Sequence, residues 1–174
     1  PGQLPDGDVL VVGAANSGAQ IALELAQSGN TILAGRSVAS MRRRVLGRDV
    51  FDWLYLTVMR PSGDSFLGRR IRKNVLGGTD ALIGMTEQDL LRGGVRRTGR
   101  VTAVADGKPR LESGEVLDVS AIVWATGFTP DFSWIDAPIF DPGGYPAHKR
   151  GVTSVPGLYF LGQRFQNKLN SSLI

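Results

Sequence analysis

The residues best suited to chemistry lie in the first forty positions of this 174-residue sequence. Gly13-Ala14-Ala15-Asn16-Ser17-Gly18 is a glycine turn with small and polar residues between its two glycines. Such a turn suits a pyrophosphate. Gly13 permits a tight bend, a small residue at 15 lets backbone approach the anion, and Gly18 lets the following helix pack close to the preceding strand. This is the dinucleotide fingerprint with alanine where its second glycine normally stands, a mild departure expected either to push the pyrophosphate back slightly or to shift its contacts toward the amides of Asn16 and Ser17. About twenty residues further on, an NADH site carries an acid that accepts hydrogen bonds from the adenosine ribose. Here that position offers Arg36 and Ser37, followed by Arg42, Arg43, Arg44 and Arg48. A guanidinium fork and a hydroxyl fit a doubly charged 2′-phosphate. The expected cofactor is therefore NADPH rather than NADH, with Arg36, Ser37 and Arg43 as candidate phosphate contacts, although each arginine from 42 to 48 also reads as an ordinary surface residue.

These groups need a frame. Val9 to Val12 is a short β-branched run of the kind found in a strand buried on both faces, ended by Gly13. Ile21, Ala22, Leu25 and Ala26 then fall at helical spacing, with Asn16 or Ser17 as the expected cap and Gly29 as the closing glycine. Thr31 to Ala34 reads as the second strand. Phe51, Leu54, Tyr55 and Val58 fit a helix ending before Pro61, and positions 67–75 fit another. Thr86 to Asp89 opens a short helix that Gly93 and Gly94 terminate. From Val95 the period falls to two: strands at 95–96, 99–105, 110–112 and 116–118 form an expected antiparallel meander, with a turn at Asp106-Gly107-Lys108-Pro109. Ala121 to Ala125 is a central-strand run ending in Thr126-Gly127-Phe128. The expected fold class is α/β: a Rossmann-like parallel sheet flanked by helices, with a β-meander.

Composition narrows the function. With 42% hydrophobic and 21% charged residues, the sequence is that of a globular chain. It has no cysteine, which removes thiolate nucleophiles and dithiol redox pairs, so any redox chemistry needs a borrowed cofactor. No apolar run approaches the ~18 residues that span a bilayer, and no membrane partner is expected. The net charge of +4 is concentrated between Arg36 and Arg100, but only 7% of residues are aromatic and no nucleic-acid module is recognisable, so no nucleic-acid partner is expected. The chain starts at Pro1 and stops at Ile174 with no closing element, and it reads as a fragment.

The turn GAANSGAQIA, the basic LAGRS after the second strand, the meander and the closing WATGF together resemble the NADPH-binding half of flavin-containing monooxygenase-like flavoproteins. The resemblance covers nearly the whole chain. Such proteins have two dinucleotide-binding domains, the NADPH domain being inserted into the FAD domain. The resemblance implies an NADPH-binding domain at 1–125 and a partial return segment of the FAD domain at 126–174. It makes Ala125-Thr126-Gly127 the junction, and Pro156 to Gly162 the strand approaching the flavin, with Gln163 where many FAD proteins carry an acid. It implies that NADPH reduces FAD, that reduced flavin reacts with oxygen, and that FAD is bound only with the missing domain. The substrate of the intact protein is then a small molecule, and the location cytoplasmic. The chain alone is expected to be inactive, with self-association through the apolar residues Leu158, Phe160, Leu161 and Phe165.

No side chain is assigned a catalytic role and none a metal. Tyr145 and Lys149 match the YxxxK pairing of short-chain dehydrogenases, with Ser133 upstream, but Pro142, Gly143, Gly144 and Pro146 oppose the helix that pairing needs. His148, the single histidine, lies in this loop and reads as a surface or hydrogen-bonding residue. A nucleotide-binding or sensor module without chemistry is the remaining alternative.

Overall fold

The computed structural model describes residues 4–55, 65, 66, 70, 82–163, 166 and 167. In chain order its elements are β1 (Val9–Val12), α1 (Asn16–Leu25), β2 (Thr31–Ala34), β3 (Ser40–Met41), β4 (Arg44–Val45), β5 (Arg48–Asp49), α2 (Val50–Leu54), β6 (Leu82–Ile83), α3 (Glu87–Arg92), β7 (Val95–Thr98), β8 (Val101–Ala105), β9 (Lys108–Leu111) and β10 (Ala121–Trp124). They fall into two compact units, Pro1–Val45 with Thr79–Phe128, and Leu46–Gly78 with Thr129–Ile174.

The first unit is built on a four-stranded sheet in the order β10-β1-β2-β7, parallel throughout. Val9 lies between Ala121 and Thr31, and Val12 between Trp124 and Ala34, so β1 is the central strand. Its continuous apolar run follows from burial on both faces. On one face Val9, Val11, Leu33 and Val95 pack with Ala19, Ala22 and Leu25 of α1 and Leu90 of α3. On the other, Leu10, Ile32 and Ala34 pack with Leu111 and Leu117. The α/β architecture expected from the sequence is present: helices on one face, a β-hairpin on the other.

That hairpin, β8 with β9, turns at Asp106 and Gly107, both at positive φ (50° and 77°), as a type I′ turn requires. It occupies the crossover from β7 to β10, where a helix would stand in a regular βαβ unit. Of the four strands expected in the meander, the first, at 95–96, is instead part of β7 in the parallel sheet, and the last, at 116–118, shrinks to one bridge between Arg110 and Val116. Leu117 still donates to the Pro109 carbonyl (2.9 Å), but the chain then leaves the ladder and Ser120 N–H reaches Asp8 O (2.8 Å), which starts β10 beside β1.

Two expectations about α1 change. Its N-cap is Ala15, with no side-chain cap, because the Asn16 carboxamide oxygen instead accepts the Ile83 N–H at 2.8 Å. Its last helical residue is Leu25 with Ala26 as C-cap, and Gly29 follows three residues of turn, its N–H donating to Leu25 O (3.1 Å). By contrast α3 follows the sequence signals: Thr86 and Asp89 form a reciprocal capping box, and Gly93 is the C-cap.

In the second unit, Asp49 caps α2 by accepting the Phe51 N–H at 2.9 Å. The described part of the helix expected over residues 51–58 is Val50–Leu54; positions 56–60 and the helix expected at 67–75, apart from residue 70, lie outside the described residues. From 129 onward the chain is mostly irregular. Isolated bridges join Phe140 to Pro146, Lys149 to Val152 and Val152 to Tyr159, and Phe132 makes edge contacts with Tyr145 and Phe160. The stretch expected as a strand at 156–162 contributes only the Tyr159 bridge.

Candidate nucleotide-binding site

In an open parallel sheet, a ligand crevice forms at the carboxyl ends of the strands where the strand order reverses. Here β1 is followed on one side by β2 and on the other, much later in sequence, by β10, so the reversal lies between β1 and β10. Gly13 and Ala125 are the residues that leave those two strand ends. Ala125 N–H donates to Val12 O at 2.7 Å, and Gly13 N–H donates to Ala34 O at 2.9 Å.

The glycines of the turn are required by space. Gly13 has φ of +112°, and a Cβ there would overlap the Ala125 carbonyl oxygen and stand 2.6 Å from its carbon. Gly18 faces Gly13 across the turn: a Cβ on it would overlap the Gly13 carbonyl oxygen and lie 3.3 Å from the Ala125 methyl. Ala14 is buried and fills the space that Gly35 leaves open, since a Cβ on Gly35 would come within 2.8 Å of the Ala14 Cβ. Ala15 contributes its carbonyl to the first turn of α1, accepting from Ala19 N–H at 2.9 Å. The helix start therefore lies at the strand reversal with no side-chain cap from its N-cap residue Ala15, an arrangement that suits an anion. Ser17 is exposed there and Asn16 is half-buried.

At the end of β2, Arg36 and Ser37 are both exposed. Arg43 lies beyond them, with its Cβ close to Gly84: a Cβ built on that glycine would stand 3.2 Å away. The loop carrying Arg36 is fixed by a residue that sequence reading passed over. Arg97 of β7, only 12% exposed in its side chain, donates to the carbonyls of Leu33 (2.8 Å), Gly35 (3.5 Å) and Arg36 (3.4 Å). Its Nε pairs with Glu87 Oε1 at 3.4 Å, and Ser37 Oγ donates to Glu87 Oε2 at 3.5 Å. Ser37, Glu87, Arg97 and Ala14 share the lining of a cavity of about 10 Å³, room for one water. A signal for Arg97 existed: it is two residues from the buried Val95 and so shares the core face of β7. Glu87 carried no such signal.

Gly13 to Gly18, Arg36, Ser37, Arg43, Ala125, Thr126 and Gly127 thus all belong to the first unit. Thr126 and Gly127 are exposed, and Gly127 has φ of +87°. Gly162 and Gln163 belong to the second unit, where the Gln163 carboxamide oxygen meets His148 Nε2 at 3.1 Å. His148 Nδ1 also lies 3.3 Å from the Gly151 N–H. Tyr145 and Lys149 lie on irregular backbone and an isolated bridge, so the helical face that a dehydrogenase pairing needs is not formed. Among the described residues, no helix is long and apolar enough to cross a membrane.

The first unit therefore has the fold of a nucleotide-binding α/β domain. The chain is 37% identical, over its full length, to an oxidoreductase of Geobacillus kaustophilus named CzcO-like, and 34% identical over 99% of its length to the CzcO oxidoreductase of Bacillus subtilis. It spans about half the length of each of these curated relatives, 50% in both cases. A flavin monooxygenase variant from Stenotrophomonas maltophilia superposes with a TM-score of 0.59 at 20% identity, covering 95% of this chain and 45% of that one. No family model matches the sequence. In fold, the chain is similar to that flavin monooxygenase.

Proposed function

We propose that this chain is the NADPH-binding part of a flavin-dependent oxidoreductase of the monooxygenase kind, with residues 1–125 as the NADPH domain and 126–174 as a returning segment of an FAD domain. The observation that carries the reading is the uncapped start of α1 at the strand reversal, beside two glycines at which a Cβ would collide with backbone. In the intact protein, NADPH supplies a hydride to FAD, and reduced flavin supplies the reaction with oxygen.

The chain's own contribution is binding and orientation. Amides from Ala14 to Gly18 would hold the pyrophosphate, with the helix start favouring its negative charge. Arg36, with Ser37 and Arg43, would hold the adenosine 2′-phosphate. Ala125, Thr126 and Gly127 would border the crevice, while Gly162 and Gln163 would serve the FAD side together with the rest of the protein. No side chain of this chain is given a catalytic role, and a small molecule is the proposed substrate of a cytoplasmic enzyme. The chain alone is proposed to be inactive and to associate through apolar side chains it exposes, among them Leu161 and Phe128; sedentary monomers at high concentration in ultracentrifugation would count against that last point.

Calorimetric titration of NADPH into the full-length protein and its Gly13→Val variant tests the site. Binding is expected in the first and none in the second, with the circular dichroism of the variant retained. Equal affinity in both would overturn the assignment of the glycine turn.

A further inference from the structure

The end of β2 lacks an acid in sequence, yet a carboxylate stands beside it in space. Glu87, at the first position of α3, places Oε2 at 3.5 Å from Ser37 Oγ while Oε1 faces Arg97 Nε at 3.4 Å. Arg97 commits its other nitrogens to the carbonyls of Leu33, Gly35 and Arg36, so it both fixes the loop that presents Arg36 and orients Glu87 toward Ser37. The Glu87 side chain is 52% exposed, which leaves its charge open to a ligand. A 2′-phosphate taken up by Arg36 and Ser37 would have to claim the hydroxyl that Glu87 now accepts, and would bring its own negative charge against that carboxylate. A ribose 2′-hydroxyl would instead find an acceptor there, the service that an acid on β2 performs in an NADH site.

We infer that Glu87 is a specificity-determining residue of the adenosine-ribose subsite, opposing a 2′-phosphate and accepting from a 2′-hydroxyl, so that selection between the two is the balance of Arg36 against Glu87. The inference rests on the nucleotide site proposed above. It adds that cofactor choice is written on two elements far apart in sequence, and that the preference for a phosphorylated ribose is weaker than Arg36 and Ser37 alone would give.

The test compares 2′,5′-ADP and 5′-AMP as probes, titrated into the full-length protein and its Glu87→Gln variant at low and moderate ionic strength. Glutamine keeps the length of the side chain and leaves the Thr86–Asp89 capping box untouched. The affinity ratio is expected to shift roughly three- to tenfold toward 2′,5′-ADP, with a smaller shift at the higher salt. Glu87→Ala should move the ratio in the same direction. A merely structural role for Glu87 would change both probes alike, so an equal shift, or none, in folded variants would overturn the inference while leaving the nucleotide site standing. Failure of both probes to bind the wild-type protein would overturn the site, and this inference with it.

Discussion

Replacing Gly18 by alanine isolates the close approach on which the turn depends. In an open helix position the change would gain up to about 1 kcal/mol, because alanine is the better helix former. At Gly18 the new methyl meets the Gly13 carbonyl oxygen and comes within 2.9 Å of the carbonyl carbon, both of them backbone atoms that no rotamer change can move aside. Overpacking of this kind costs about 1 to 3 kcal/mol, and the severity of the overlap points to the upper end. The net expectation is a loss of about 1 to 2 kcal/mol, or a fall in Tm of roughly 2 to 8 °C for a chain of this size. The displaced α1 should also weaken NADPH binding, since its first turn moves away from β1. Gly29→Ala is the matched control: nothing lies within 4 Å of its Cβ, so stability should change by no more than about 0.5 kcal/mol or rise slightly. Thermal unfolding by circular dichroism reads both variants. A Gly18→Ala protein as stable as wild type would refute the claim that strand and helix meet too closely for a side chain.

Arg36→Ala should weaken NADPH binding by about 1.5 to 3 kcal/mol, the range for hydrogen bonds to charged groups, and leave NADH nearly unaffected; equal losses for both cofactors in calorimetry would remove Arg36 from the phosphate subsite. Arg97→Met, which keeps much of the apolar stem but leaves the carbonyls of Leu33, Gly35 and Arg36 without their donor, should destabilise the first unit by about 1 to 3 kcal/mol in urea unfolding, and an unchanged midpoint would show that water replaces the guanidinium at no cost. Thr86→Ala should cost about 1 kcal/mol through the lost cap. The side-chain and backbone hydrogen bonds from Thr86 hold the Asp89 carboxyl below its ordinary value, aided by Arg92. A folded value below the unfolded one gives stability that is present above the ordinary carboxylate range and is lost as pH falls through the folded value, so α3 amides should lose hydrogen-exchange protection below about pH 4 in wild type and much less steeply in Thr86→Ala.

Where sequence and structure agree, the signal was local. The β1 and β2 runs stand as four-residue strands because an apolar, β-branched segment of that length has no better place than the middle of a parallel sheet; the run at β10, read as a central strand, is instead an edge strand of the described sheet, with Ile122 and Trp124 exposed. The α3 boundaries were legible because a capping box and paired glycines act within one turn of the helix they delimit. Where they differ, a distant group intervened. Asn16 looked like a cap, but its carboxamide is taken by Ile83, sixty-seven residues away. The last meander strand had the right alternation, but after Gly114 turns the chain back, Leu117 is drawn into the core and the ladder stops at one bridge. The same holds for the site. In the proposed site, the glycine turn and Arg36 are candidates from spacing alone, whereas what Arg97 and Glu87 do there depends on the pairing of β7 with β2, which places Arg97 beside Leu33.

That last pairing changes how charge should be counted around the candidate nucleotide. Along the chain, the segment after β2 reads as a run of arginines without an acid, and the obvious inference is a strongly cationic subsite. In space, the most buried guanidinium there, Arg97, is spent on backbone carbonyls and on Glu87, and the hydroxyl counted for the phosphate faces the same carboxylate. Arg36, exposed at the end of β2, is then the cation that a phosphate could recruit, against one carboxylate already in position. Buried Arg97 holds the loop, and exposed Arg36 is the one proposed to meet the ligand; the two are separated by burial, which residue type alone does not reveal.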